Sequence, residues 1–307
     1  KIIKNLFYII FFILSLLLIG QIYDLIFQKN ILTGKIVENF RHTGFFGDDE
    51  IIGSYIARLF PFFLFISLQQ KRINHNIIFI LMFITGWIVF LSSERTSFFF
   101  YIITLVIFTS LSETKIRKII ILNLLILASI SSIFYVINND FNHRVHQTYN
   151  QIFENKNETS KINIFSKTHQ LHYKLAYKMF REKPVFGHGV KMFRDYCGRD
   201  ENYINDLACT THPHNVAMQF LAETGLILTI IVYFFYLLLI LKIIQLFLKR
   251  NFKKIYIINY PQVFFLISLL ITFFPFSPSG NFFDNWLSIV YYYPIGIYLW
   301  KMNSSNY

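Results

Sequence analysis

Apolar residues gather in eight runs along the chain, at about 5–27, 51–69, 77–91, 97–111, 119–137, 214–241, 255–274 and 286–300. An apolar run of roughly 18 or more residues predicts a membrane-spanning helix, because about 20 residues at a 1.5 Å rise cross the hydrocarbon layer. The polar stretches between the runs are of two kinds, and they alternate. One kind is short and basic: Lys1 and Lys4; Lys71 and Arg72; Lys115, Arg117 and Lys118; Lys249, Arg250, Lys253 and Lys254; Lys301. The positive-inside rule places these in the cytoplasm, together with both ends of the chain. The stretches near 28–50, 92–96, 138–213 and 275–285 then face the opposite side.

The pattern changes once, over 138–213, the only large polar part. Within it "SKTHQLHYKLAYKMFREKP" has a helical period, with Leu171, Leu175, Ala176, Met179 and Phe180 on one face and Pro184 as its stop. "FGHGV" follows as a glycine turn. The expected fold is therefore all-α: a polytopic transmembrane bundle of about eight spans (1–137 and 214–307) with one large non-cytoplasmic loop (138–213) containing short helices. There is no internal repeat and no glycine-rich phosphate loop.

Composition supports a membrane protein: of 307 residues, 54% are hydrophobic and only 15% charged. The net charge of +12 does not point to nucleic acid, since most of the Lys and Arg sit in the short loops as topology signals. The chain starts at Lys1 and enters an apolar run almost at once, which predicts a fragment that has lost upstream segments. That run is too long for a signal peptide. The two cysteines, Cys197 and Cys209, share the large loop. Outside the cytoplasm a disulfide between them is permitted, and it would stabilise the loop by on the order of 3 kcal/mol; the alternative is two free thiols.

Seven of the nine histidines lie between 143 and 214. His143/His146 and His169/His172 are spaced i, i+3, and His212/His214 is an H-x-H, so zinc deserves a test. H-E-x-x-H is absent, and the expectation is no metal and no cofactor. Arginines near the membrane carry more information. Arg95 lies in a minimal loop, Arg144 just after another membrane exit on the same side, and Arg58 about two turns inside an apolar run. An arginine at membrane depth must face protein, water or a ligand. Arg95 reads either as an interfacial snorkelling residue or as a cation for an anionic lipid headgroup, whose oxygens suit a planar guanidinium fork. Pro213 suits the first turn of a helix, which sets His214 at the helix mouth on the side of Arg95 and Arg144. Asn215, Gln219 and Glu223 follow at i, i+4, i+8. Such a polar stripe lines a cavity or pairs with groups such as Arg58. The rival reading of His214 is a passive interfacial histidine.

"HNVAMQFLAETGLIL" resembles the signature of the O-antigen ligase and polymerase family: His-Asn, nine residues, Gly, two residues, then usually Gly. His214, Asn215 and Gly225 match; Leu228 stands where the last glycine is usual, a position expected to serve helix packing. "KPVFGHGVKMFRDYC" is similar to the family's Pro-x-x-Gly-x-Gly-x-x-x-Phe segment, with Pro184, Gly187, Gly189 and Phe193. "SSERTSFF" resembles its Ser-Arg-Thr motif, and "RHTGFFGDDEIIGSYIARLFPFF" an upstream segment of many members. Together these cover most of the chain. Family ligases have about twelve spans with the large periplasmic loop after the ninth, so four missing N-terminal spans would reconcile the two topologies.

The resemblance implies a metal-independent, inverting glycosyltransferase in the bacterial inner membrane, with its large loop and active site on the periplasmic face. The donor is a glycan on undecaprenyl diphosphate. The acceptor is a sugar hydroxyl, on lipid A–core for a ligase or on a second lipid-linked glycan for a polymerase. Arg95, Arg144 and Arg58 are the candidate diphosphate ligands. His214 is the candidate catalytic proton acceptor, a role suited to a histidine near its ordinary pKa. Asn215, Gln219, Glu223, Gly187, Gly189, Asp49 and Glu50 are candidates for orienting it or the acceptor. A transporter, a protein O-oligosaccharyltransferase and a structural membrane protein are the rivals; the transporter predicts two related halves with interrupted helices, a symmetry absent from the sequence.

Overall fold

Each apolar run coincides, over its described residues, with a helix in the computed structural model, which describes residues 2–69, 75–153, 165–202, 204–205, 207–252 and 259–304. Lys1, Lys71, Arg72, Lys253 and Lys254 lie outside the described residues. The helices are α1 (Ile2–Phe27), α2 (Ile52–Leu68), α3 (His75–Leu91), α4 (Arg95–Leu111), α5 (Thr114–Ile137), α6 (Asn139–Ile152), α7 (Lys167–Glu182), α8 (Phe193–Cys197), α9 (Val216–Asn251), α10 (Tyr260–Thr272) and α11 (Asn285–Ser304). Among the described residues there is no β-strand, only an isolated bridge between Lys29 and Ile36. α1, α5 and α9 are long and apolar enough to cross a bilayer, and α2, α3, α4 and α10 are shorter apolar helices. Outward-facing Ile230, Phe234, Phe235 and Leu238 on α9 are exposed, as a lipid-facing surface requires. This is an all-helical membrane protein.

The chain forms two compact units. The first comprises Lys1–His146, Ile243–Ser268 and Pro294–Tyr307; the second comprises Gln147–Lys242 and Leu269–Tyr293. In the first, aromatic side chains knit the helices: Phe65 of α2 stacks on Phe264 of α10 with centroids 5.2 Å apart. The buried Tyr101 hydroxyl of α4 lies 2.8 Å from Met82 O of α3 and 3.0 Å from Asn123 Oδ1 of α5, with its one proton to give to either. Inside an apolar bundle such pairing is obligatory, because an unpaired polar group there costs ~1–3 kcal/mol.

The segment between α1 and α2 is pinned by two buried polar residues at the end of α1. Gln21 Nε2 donates to His42 O (2.7 Å) and Ile88 O (3.2 Å). Asp24 accepts from Gly44 N at 2.7 Å and Ile31 N at 2.9 Å. Asn30 Nδ2 completes the hub by donating to Thr43 Oγ1 and Gly44 O, both at 2.9 Å.

In the second unit α7 is the amphipathic helix its period predicts. Ser166 caps it, accepting from His169 N at 3.2 Å. Leu175, Ala176 and Met179 are buried against Phe193, Tyr196, Cys197 and Ala222, and each large apolar side chain so buried contributes ~1.5–3 kcal/mol. Val216 and Phe220 of α9 form a second cluster with Phe282, Leu287 and Tyr291.

Candidate functional site

The first turn of α9 differs from the expectation. The helix begins at Val216, so Pro213 lies before it rather than in its first turn. Asn215 is the reason: its Oδ1 accepts from Met218 N at 2.9 Å, an N-cap bond that fixes the start. Its Nδ2 donates to Pro275 O (2.8 Å) and Ser277 O (3.4 Å). His214 precedes the cap with φ +54°, a left-handed conformation uncommon outside glycine. Its carbonyl accepts from Ser279 N at 3.0 Å.

The imidazole of His214 stands among three others. Ring centroids lie 4.0 Å away for His212, 5.1 Å for His172 and 5.7 Å for His169. His172 Nε2 faces Leu207 O at 3.0 Å, and His212 Nε2 faces Ser279 O at 3.3 Å. A carbonyl only accepts, so both Nε2 atoms carry protons, and Thr211 Oγ1 lies 2.8 Å from the remaining His212 nitrogen. Burial, then the neighbouring imidazoles His212, His172 and His169, push the His214 pKa down to about 3. Burial also lowers His172 and His212. A proton acceptor near the ordinary histidine pKa is thus not what the fold provides: burial first, and the neighbouring imidazoles next, disfavour the charged ring and keep His214 neutral well into acid.

A base whose pKa is depressed holds its lone pair as the pH falls. If His214 is the proton acceptor, kcat/KM, which reports the free enzyme, should stay level from pH 8 to about pH 5.5. Initial transfer rates across that range check this; a fall centred near 6.5 would require an ordinary, solvated histidine instead.

The polar stripe is a buried ladder. Gln219 Nε2 donates to Asn281 Oδ1 (2.7 Å) and Glu223 Oε2 (3.0 Å), and its Oε1 accepts from Phe282 N (2.9 Å). Glu223 Oε1 accepts from Phe193 N at 3.3 Å. The stripe thus ties the 275–283 segment and the start of α8 to α9, and its side chains act as positioning groups.

Two glycine motifs meet just below. At Gly225 the helix breaks, with φ +74° and ψ −172°, a region open essentially to glycine alone. The freed backbone groups are paired by the 184–189 segment. Leu226 N donates to Pro184 O (2.8 Å), Gly189 N to Glu223 O (2.8 Å) and His188 N to Ala222 O (3.2 Å). A Cβ on Gly225 would sit 2.3 Å from Val185 O, and one on Gly187 2.4 Å from Glu223 C. Both glycines are therefore needed for close backbone approach. Leu228 is 39% exposed, so lacking a glycine there crowds nothing within the unit. Gly225→Ala should lower stability by about 3 kcal/mol or more, from backbone strain plus displacement of the 184–187 segment. Gly296→Ala, where an added Cβ meets nothing, is the control. Thermal unfolding of the two variants checks the contrast.

The first unit gathers arginines. Arg95 is the first residue of α4 and is exposed; Arg144 of α6 is half-buried. The two lie within electrostatic range of each other. Arg41 joins them, near enough to Arg144, Arg95 and Glu94 to feel all three charges. The local sequence around Arg41 offers only a basic residue beside an aromatic one. Glu94 accepts from Ser54 N (3.1 Å), Ser54 Oγ (2.7 Å) and Ser97 Oγ (2.9 Å). Arg58 is 1% exposed, donates to Ser54 O at 3.3 Å and stands 4.9 Å from the Phe100 ring centroid. Its guanidinium is enclosed in the bundle, not presented at a surface. Asp49 is exposed, and Glu50 forms an ion pair with Arg41.

Cys197 and Cys209 are joined by a disulfide, which ties α8 to the approach to His212. Among the described residues no group of three His, Cys, Asp or Glu is arranged to hold a metal ion.

These features define a polytopic helical membrane protein with a cationic cluster in one unit and a neutral histidine cluster in the other. Residues 77–234, just over half of the chain, match the O-antigen ligase family. The chain belongs to that family, whose members are membrane glycosyltransferases of the ligase and polymerase type. The match takes in Arg95, Arg144, Gly187, Gly189 and His214. No curated protein matches the chain.

Proposed function

We propose that this protein moves a glycan from undecaprenyl diphosphate to a sugar hydroxyl, as an O-antigen ligase with a lipid A–core acceptor. The bond from the anomeric carbon to the diphosphate breaks and its electron pair leaves with the diphosphate. The acceptor oxygen forms the new bond from the opposite face, inverting the anomeric centre. Arg95 and Arg144 hold the diphosphate and stabilise the charge that grows on it. With guanidinium groups supplying that charge, the reaction as read here calls on no metal. Arg58 sits behind them as interior counter-charge to Glu94.

His214 takes the acceptor's proton. Its neutral state leaves a lone pair available for that proton. Asn215, Gln219 and Glu223 keep the helix mouth in place, Gly187 and Gly189 hold the break in α9, and Asp49 and Glu50 lie on the segment that carries Arg41. The alternating basic loops favour an inner-membrane location with residues 138–213 in the periplasm.

The observation that carries this reading is the neutral, half-buried His214 at the mouth of an apolar helix in a chain of this family. A deletion strain examined by polysaccharide gel tests it. Lost attachment with lipid-linked chains still long is the expected result. Attached single repeats without long chains would make the protein a polymerase, and an unchanged ladder would overturn both.

A further inference from the structure

Three arginines from three distant segments are brought together by one aromatic cluster in the first unit. Phe40 is buried with its ring centroid 5.9 Å from Phe90, 5.9 Å from Phe134 and 5.0 Å from Phe141. Asn39 and Phe40 both have left-handed backbones, with φ +54° and +55°. For a bulky aromatic this is a strained conformation, held only where the surroundings over-determine it. Here they do: Phe40 is clamped on one side, and on the other His42 N donates to Leu91 O at 3.1 Å while Gln21 holds His42 O.

Three of the four rings lie close in sequence to an arginine. Arg41 follows Phe40, Arg95 begins the helix just after Phe90 and Leu91, and Arg144 lies one turn beyond Phe141 on α6. The fold thus spends backbone strain and aromatic packing to set three guanidinium groups near one another. Like charges held together repel, and the arrangement is favourable when a polyvalent anion joins them.

Two carboxylates stand at the cluster. Glu94 is engaged by Ser54 and Ser97 and balances the interior. Glu50 is half-exposed and pairs with Arg41. Arg41 Nε is buried and has no hydrogen-bond partner among the described residues.

We propose that Arg41 is a third anion-binding arginine for the donor diphosphate, and that Glu50 is its exchangeable counter-ion, displaced when the diphosphate arrives. This rests on the reading of Arg95 and Arg144 as diphosphate ligands. Three planar forks match the several oxygens and multiple charge of a diphosphate better than a monophosphate does. Burial, with Arg144 the next cause, already pulls the Arg41 pKa below its ordinary value, so an added anion there is favourable.

The full-length protein in detergent is titrated with farnesyl diphosphate, farnesyl monophosphate and inorganic diphosphate. Arg41→Gln should weaken farnesyl diphosphate about ten-fold and monophosphate less. Glu50→Gln should tighten it about three-fold by removing the competitor, an effect opposite in sign to simple loss of a structural ion pair. Equal effects on inorganic diphosphate would assign the site to the phosphates alone; larger effects on the farnesyl form would assign it to the lipid headgroup in place. Either outcome supports the proposal. Arg95→Gln weakened with Arg41→Gln unchanged overturns the proposal and leaves the wider reading standing. Arg95→Gln and Arg41→Gln both unchanged overturns the reading itself. Should Arg41→Gln not fold, Glu50→Gln decides: tighter binding supports the proposal, equal or weaker binding overturns it.

Discussion

Replacing His214 should abolish glycan attachment while leaving the protein folded in the membrane. Two variants separate chemistry from backbone. His214 is left-handed at φ +54°, a conformation asparagine tolerates and alanine does not favour. His214→Asn therefore keeps the turn into α9, and His214→Ala adds a modest strain. Loss of a positioned general base costs roughly 10²–10⁴-fold in rate, so both variants should fall to background. The melting temperature of the asparagine variant should stay near that of the parent. Two bonds that hold this corner bypass the imidazole, Ser279 N to the His214 carbonyl and the Asn215 cap, while the ring adds one contact with the Ser279 backbone. Surface polysaccharide gels and membrane fractionation read the two quantities. A normal ladder from a strain carrying only His214→Asn would remove the residue from the mechanism.

The second large effect concerns the arginines. Arg95→Gln and Arg144→Gln should each lower kcat about 10²–10³-fold, the usual loss when one preorganised group that stabilises developing charge is removed. Arg95→Lys should recover only part of this, because an ammonium keeps the charge without the bidentate fork. The enclosed Arg58 gives a different signature. Near the Phe100 ring and the Ser54 carbonyl, its replacement should lower the melting temperature first, since one partner of a buried charge network is lost. Steady-state kinetics beside thermal unfolding distinguish the two classes. Equal kinetic losses for Arg95→Gln and Arg58→Gln at equal stability would contradict the assignment.

Much of the helical framework was legible because it rests on local pattern. Runs of apolar residues locate α1–α5, α10 and α11 to within about five residues, α9 continues ten residues past its run, and the period of 167–182 gives α7 with its buried face. The i, i+4 contact of Gln219 with Glu223 also follows from helix geometry. What periodicity could not supply were partners far along the chain. Gln219 meets Asn281, Asn215 meets Pro275, and Gly225 meets Val185; no local rule encodes such separations. The start of α9 was placed too early because Pro213 and Asn215 both suit a helix entrance, and the cap bond to Met218 decided between them. The pKa of His214 is not legible in the sequence because it depends on burial and on three other imidazoles that only the fold assembles. Arg41 escaped notice for the same reason: its meaning lies in Phe90, Phe134 and Phe141, not in its neighbours in sequence. The quoted glycines show the converse, where motifs about forty residues apart proved to be two sides of one backbone contact.

On the proposed function, the chain makes a glycosidic bond while a lipid diphosphate departs. The most direct test is purified full-length protein mixed with an undecaprenyl-diphosphate-linked glycan and a lipid A–core acceptor, with no nucleotide sugar and with a chelator present. The account predicts glycosylated acceptor and free undecaprenyl diphosphate in equal amounts, with the anomeric configuration inverted, and neither product from His214→Asn. Movement of the lipid-linked glycan across vesicle membranes with no new glycosidic bond would contradict it and make the protein a transporter.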